Sequence, residues 1–164
     1  MLPPTNSFTF RRWREAVKLA YSALLVREYD EAIDWYTRVL GFRLAEDGDQ
    51  GNDKRWIVIE AGDGGALLLA MARKQSELVA IGNQHGGRVA YFLEVGDFNV
   101  RYRSMSEHGV EFEGHPRNES YGTVVVFRDL YGNRWDLIER RAMIRPALKA
   151  VNGGNAFVSS MMGS

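Results

Sequence analysis

Asp136 is a carboxylate set between Trp135 and Leu137 on an apolar segment. Burying an unpaired carboxylate is costly, so Asp136 calls for a partner, and Arg88, Arg134 and Arg55 are the candidates. Paired, it is a structural ion pair at a sheet edge; exposed to a ligand, it is a binding or catalytic acid. Tyr21 offers one hydroxyl from an apolar run, to a ligand or to a packed core. Tyr21 and Asp136 are the catalytic candidates, although a phenol with an ordinary pKa of about 10 is a poor base at pH 7. Trp56 beside Arg55 sets an aromatic face next to a guanidinium. That combination holds planar or anionic ligands and equally serves core packing and solvation. Gln84 and Arg88 lie in the polar stretch Asn83-Gln-His-Gly-Gly-Arg88, and Tyr121 precedes Gly122 at a strand start. The ligand-binding candidates are therefore Tyr21, Arg55, Trp56, Gln84, Arg88, Tyr121 and Asp136.

Several chemistries lack their residues. The chain has no cysteine, which excludes disulfides and thiolate metal sites and fits a cytoplasmic protein. His85, His108 and His115 are scattered and read as surface histidines. There is no phosphate loop with its lysine and no nucleophile elbow. Lys plus Arg and Asp plus Glu are both 21, so no net charge attracts nucleic acid. The best apolar stretch, 19–26, is far short of the roughly 20 residues that span a membrane.

The elements that must position these residues come from an internal repeat. Residues 21–30 align with 90–99, so that Val26 matches Val95 and Tyr29 matches Phe98. Leu40-Gly41-Phe42 matches His108-Gly109-Val110, and Ile57-Val58-Ile59 matches Val124-Val125-Val126. Each copy reads as a strand, a helix and three strands. In the first, a strand over 18–26 precedes a helix capped by Asp30, with Ile33, Tyr36 and Leu40 at helical spacing and Gly41 as the stop. Strands follow near 42–47, 55–61 and 66–72. In the second, a strand over 89–95 precedes a helix capped by Asp97 and stopped by Gly109. Strands near 110–115, 122–128 and 134–140 complete it, with a turn at Asp129–Asn133 that needs Gly132 at positive φ. This gives an extension over 1–17, module one over 18–73, a linker over 74–87, module two over 88–140 and a tail over 141–164. The extension interleaves Phe8, Phe10 and Trp13 with arginines and reads as a frayed segment, with an Arg-rich, acid-poor targeting peptide as the alternative.

Three motifs carry a family resemblance: Val26-Arg-Glu-Tyr-Asp-Glu-Ala-Ile-Asp-Trp-Tyr36, Val39-Leu-Gly-Phe42 and Phe127-Arg-Asp-Leu-Tyr-Gly-Asn-Arg-Trp-Asp-Leu-Ile-Glu139. With them the chain resembles the vicinal oxygen chelate superfamily, which contains glyoxalase I, extradiol dioxygenases, fosfomycin-resistance proteins and bleomycin-binding proteins. The resemblance covers about residues 18–140. It implies an α+β fold: two tandem βαβββ modules forming a curved, mostly antiparallel sheet around a cleft, with helices on the outer face. It also implies a homodimer. Metal-dependent members take one His, Gln or Glu ligand from the first and last strand of each module. Here those positions carry Tyr21, Leu69, Ala90 and Asp136. One phenol, one carboxylate and two apolar side chains do not make a usual divalent site, so the expectation is no metal and no other cofactor. The expected function is metal-independent binding of a small molecule, an antibiotic or a metabolite, without a nucleic acid or membrane partner. The alternative is a glyoxalase-type lyase or isomerase, or a dioxygenase, with a divergent metal or acid–base site.

Overall fold

The computed structural model describes residues 18–62 and 64–141. The extension over 1–17 and the tail beyond 141 lie outside these residues. Module one comprises β1 (Ser22–Val26), α1 (Tyr29–Arg38), β2 (Arg43–Asp49), β3 (Arg55–Glu60) and β4 (Ala66–Met71). A short helix, α2 (Gln75–Leu78), interrupts the linker. Module two repeats the order with β5 (Val89–Glu94), α3 (Phe98–Glu107), β6 (Phe112–Glu119), β7 (Gly122–Arg128) and β8 (Arg134–Arg140). The strands divide into two four-stranded sheets, ordered β1-β4-β3-β2 and β5-β8-β7-β6. In each, the first and last strands of the module pair in parallel and the remaining neighbours pair antiparallel.

Local chemistry sets the helix limits. The cap of α1 is Glu28, whose carboxylate accepts from the Glu31 N–H at 2.8 Å, and not Asp30. Tyr29 is 5% exposed and must enter the helix to bury its ring, which leaves Asp30 in the first turn. There its charge still complements the helix dipole. Asp97 caps α3 as expected, accepting from the Val100 N–H at 2.9 Å. Gly41 and Gly109 follow the two helices at φ 69° and 75°, conformations that a Cβ disfavours.

One face of each sheet is covered by its helix. Leu24, Val26, Ile57, Ile59, Leu67 and Leu69 pack with Ala32 and Tyr36 of α1, and Leu93, Val125, Phe127 and Leu137 pack with Phe98 and Met105 of α3. The two layers merge into one core through Trp135, whose indole lies 6.2 Å from the Tyr36 ring and 6.1 Å from Phe42. Asp129 is buried at this junction. Its carboxylate accepts from the Tyr36 hydroxyl at 2.6 Å, the Trp135 indole N–H at 3.0 Å and the Asn133 amide at 2.9 Å. It also accepts the backbone N–H groups of Tyr131 and Asn133, which closes the β7–β8 turn. Burial and the Asp129 charge raise the Tyr36 pKa well above the usual tyrosine range, so this hydroxyl remains a donor.

The linker is pinned at two points. Gly82, at φ 76°, lies so close to the Tyr131 carbonyl that a Cβ would stand 2.0 Å from its oxygen. Gln84 projects its amide onto the free edge of β1, accepting from the Leu25 N–H and donating to the Ala23 carbonyl, both at 2.8 Å.

Removing one partner of a buried, hydrogen-bonded charge strands the rest. Tyr36→Phe is expected to cost about 1.5–3 kcal/mol, the range for hydrogen bonds to charged groups. Asp129→Ala, which orphans several donors at once, is expected to cost more, about 3–5 kcal/mol. Denaturant unfolding of both variants measures the two losses, and a neutral Tyr36→Phe would deny the junction its role.

Candidate functional site

Strand alternation places every second residue on the sheet face turned away from its helix. In module one that face carries Ala23 and Leu25 of β1, Leu68 and Ala70 of β4, and Trp56, Val58 and Glu60 of β3. Tyr21, one residue before β1, continues the same alternation. Tyr21 and Trp56 meet edge to face with ring centroids 6.0 Å apart. Glu46 of β2 joins them: one oxygen accepts from the Tyr21 hydroxyl at 3.3 Å, the other from the Trp56 indole N–H at 2.9 Å. Because β1 and β2 are opposite edges of the sheet, Tyr21 and Glu46 reach toward each other across its width. Val58, on this face, is fully buried, while Trp56 keeps 38% of its surface exposed. The Glu46 charge and, to a smaller degree, burial raise the Tyr21 pKa, so its hydroxyl is a donor at neutral pH.

In module two the corresponding face carries Phe92 of β5, Asp136 and Ile138 of β8, and Val124 and Val126 of β7. The floor is apolar, with Val124, Val126 and Ile138 buried, and Phe92 is 67% exposed above it. Asp136 pairs across the sheet with Phe92 on one side and Val126 on the other. Its Oδ1 is shielded from solvent and has no hydrogen-bond partner among the described residues. Burial raises its pKa, and the opposing pull of Arg117 and Arg134 does not cancel that effect.

Of the ligand-binding candidates from the sequence, Tyr21 and Trp56 are brought into ring contact. No hydrogen bond joins Tyr21 to Asp136. Arg55 is adjacent to Trp56 in sequence and therefore points to the other face. It is fixed by Asp30 at 2.7 Å and by Asp47, and lies over the Tyr29 ring. The Asp136 partner expected in Arg88 or Arg55 is thus not made, and Arg134 pairs instead with Glu113 and the Gly87 carbonyl. Gln84 is engaged with the backbone of β1. Arg88 is exposed and has no ion-pair partner among the described residues. Tyr121 is 43% exposed at the β6–β7 turn. His108 holds the Ser104 carbonyl, and His85 packs edge-on against Tyr91.

Two residues were missed. Glu46 sits in Leu44-Ala-Glu-Asp-Gly48, where acids and glycine resemble a turn; its position opposite Val58 follows a register irregularity after Leu44. Tyr91 lies tilted against Trp135 with ring centroids 4.5 Å apart, its hydroxyl is buried near Ser22 without a hydrogen bond of good geometry among the described residues, and burial raises its pKa.

The metal positions also shift by one. Leu93 pairs with Leu137 as Leu24 pairs with Leu69, so the counterpart of Asp136 is Leu68 and not Leu69, which faces the core. A one-residue slip exchanges the faces of a strand. Leu68 is no more a donor than Leu69. Among the described residues no three His, Asp or Glu side chains converge as a metal-binding group, so the side chains at these positions do not fit a divalent ion.

A profile described as the Glyoxalase/Bleomycin resistance protein/Dioxygenase superfamily matches residues 18–137. An uncharacterized protein of Shewanella frigidimarina (strain NCIMB 400) is 48% identical over 124 residues, covering 74% of this chain and 92% of that one. The crystal structure of UcmS2 superposes with a TM-score of 0.65 at 25% identity, covering 75% of this chain and 98% of UcmS2. TnmS3, an antibiotic binding protein from Streptomyces sp. CB03234, gives a TM-score of 0.61 at 22% identity, over 77% of this chain and 98% of TnmS3. This last likeness is one of fold.

An acid whose pKa rises on folding lowers native stability as pH climbs above its ordinary value. Asp136→Asn is therefore expected to be more stable than the wild type at pH 7, with the difference fading below pH of about 4, where the aspartate is protonated in both states. Denaturant midpoints at the two pH values test this, and equal midpoints at pH 7 would remove the buried-charge account of Asp136.

Proposed function

The chain belongs to the glyoxalase/bleomycin resistance protein/dioxygenase superfamily, and from that membership we propose that it binds and sequesters a small organic molecule without a metal. The observation that carries this reading is the composition of the faces turned away from the helices. One presents a braced aromatic pair, Tyr21 and Trp56, and the other presents a carboxyl oxygen of Asp136 that has no partner among the described residues, on an apolar floor. Apolar and aromatic walls with a few placed polar groups are the usual makeup of a ligand pocket. The likeness to TnmS3, described as an antibiotic binding protein, supports the same reading.

The catalytic alternative, a glyoxalase-type lyase or isomerase or a dioxygenase, needs either converging metal ligands or an acid–base pair. Its sequence candidates, Tyr21 and Asp136, have different surroundings: the first is bonded to Glu46, and the second is flanked by Phe92 and Val126. We place the protein in the cytoplasm, in keeping with a chain that has no cysteine. No helix among the described residues is long and apolar enough to cross a membrane.

We also read the functional unit as a homodimer. Val100 on α3 is 63% exposed, and β5 lies at the edge of its sheet, so apolar surface and an open strand edge remain for a second copy. Light scattering on the eluting full chain is expected to give twice the monomer mass. A monomer at micromolar concentration would end the dimer reading and leave the binding reading standing.

Binding itself is tested by thermal denaturation of the full chain against a library of small aromatic and heteroaromatic compounds. At least one class is expected to raise the Tm. The shift should survive EDTA and fall about tenfold in apparent affinity in Trp56→Ala, the loss expected for one aromatic contact of about 1.4 kcal/mol. A shift that needs added metal, or no shift with any class, would sink the proposal.

A further inference from the structure

A cavity of about 320 Å³ lies where the linker crosses the start of β5 and β8. It shares no residue with the Tyr21–Glu46–Trp56 group. Arginines from three different segments line it: Arg88 at the end of the linker, Arg128 at the end of β7 and Arg134 at the start of β8. Against them stands one lining carboxylate, Glu113 of β6. Both oxygens of Glu113 are already engaged, by Arg128 at 2.6 Å and by Arg134 at 2.8 Å. Glu111 lies farther out, exposed, at 3.9 Å from Arg128. Arg88 is left without a compensating charge among the described residues.

Two of these guanidinium groups are held in place before any ligand arrives. Arg134 donates to the Gly87 carbonyl at 2.8 Å, and Arg128 donates to the Gly132 carbonyl at 3.1 Å. The wall opposite is the linker, fixed by Gly82 against the Tyr131 carbonyl and by Gln84 on β1. Fixed donors lose little freedom when an anion binds, and a guanidinium fork matches carboxylate and phosphate oxygens. We propose that the cavity between the linker and β8 is an anion site, in which Arg88 closes over a carboxylate or phosphate group resting against Arg128 and Arg134. Side-chain alternation puts Arg134 on the sheet face that carries Asp136. An acid-bearing ligand held here would extend along that face. That extension rests on the cleft reading; the anion site does not.

The test titrates inorganic phosphate into the full chain at constant ionic strength, with chloride as the balancing salt, and follows Tm and amide chemical shifts. Saturable stabilisation is expected, with shifts confined to the linker, the end of β7 and the starts of β5 and β8. Arg88→Ala, a change at an exposed side chain, is expected to weaken the phosphate midpoint about tenfold, as loss of one charge-assisted contact would. Glu113→Gln, which removes the competing carboxylate, is expected to tighten it. Trp56→Ala should bind phosphate as the wild type does, even if the cleft reading fails. The proposal is overturned if phosphate does no more than chloride, if Arg88→Ala keeps the wild-type midpoint, or if Glu113→Gln binds more weakly.

Discussion

Asp129 brings a carboxylate into the place where the two modules share a core. A charge there is unfavourable unless almost every lone pair is used, and the surrounding residues use them. Tyr36 comes from the helix of module one, Trp135 from the last strand of module two, and Asn133 and the Tyr131 backbone from the turn between. Each donor fixes a different piece: the roll of α1, the rotamer of the indole and the closure of the β7–β8 turn. The Tyr131 hydroxyl extends the same junction to the start of α1, lying 2.9 Å from Glu31. A purely apolar junction would permit small rotations of one module on the other. A directional set of bonds around one carboxylate permits far fewer, and the sheet faces turned away from the helices are held in register with it.

The faces away from the helices divide the polar work unequally. Module one braces its aromatic pair by giving both oxygens of Glu46 a donor. Module two leaves an oxygen of Asp136 without one among the described residues. An unmet acceptor in a low-dielectric setting lowers stability and offers a ligand a strong hydrogen bond. Holding such a group is a common feature of binding sites, where stability is given up for function. The arginines around Glu113 stand near the same face, so the local field around Asp136 contains both signs within a short span.

The order of elements could be read from the chain because glycine and short-range periodicity carry it. Gly41, Gly109 and Gly132 each need a positive φ, and each stops a helix or turns a strand where the repeat places it. Both modules could be recognised because Tyr29 and Phe98 begin the two helices and are buried alike. What could not be read depends on irregularities and distant pairs. Glu28 and Asp30 are acids on either side of the first residue of one helix, and the burial of Tyr29 chooses between them as the cap. The step from Leu69 to Leu68 follows from strand pairing, which one sequence does not display. Arg55 and Trp56 look like neighbours on paper and occupy opposite faces of a strand. Gln84 looks like a free amide, and its partners lie some sixty positions away on β1.

That amide has a consequence for the life of the protein in a crowded solution. An edge strand with open N–H and C=O groups is a template on which another chain can add a strand. Proteins usually protect such edges with charge, proline or a bulge. Here one glutamine occupies the donor N–H of Leu25 and the acceptor carbonyl of Ala23 that an incoming strand would use. The linker therefore does more than join two modules: through one side chain it occupies hydrogen-bonding groups on the free edge of β1 that would otherwise be open to another strand.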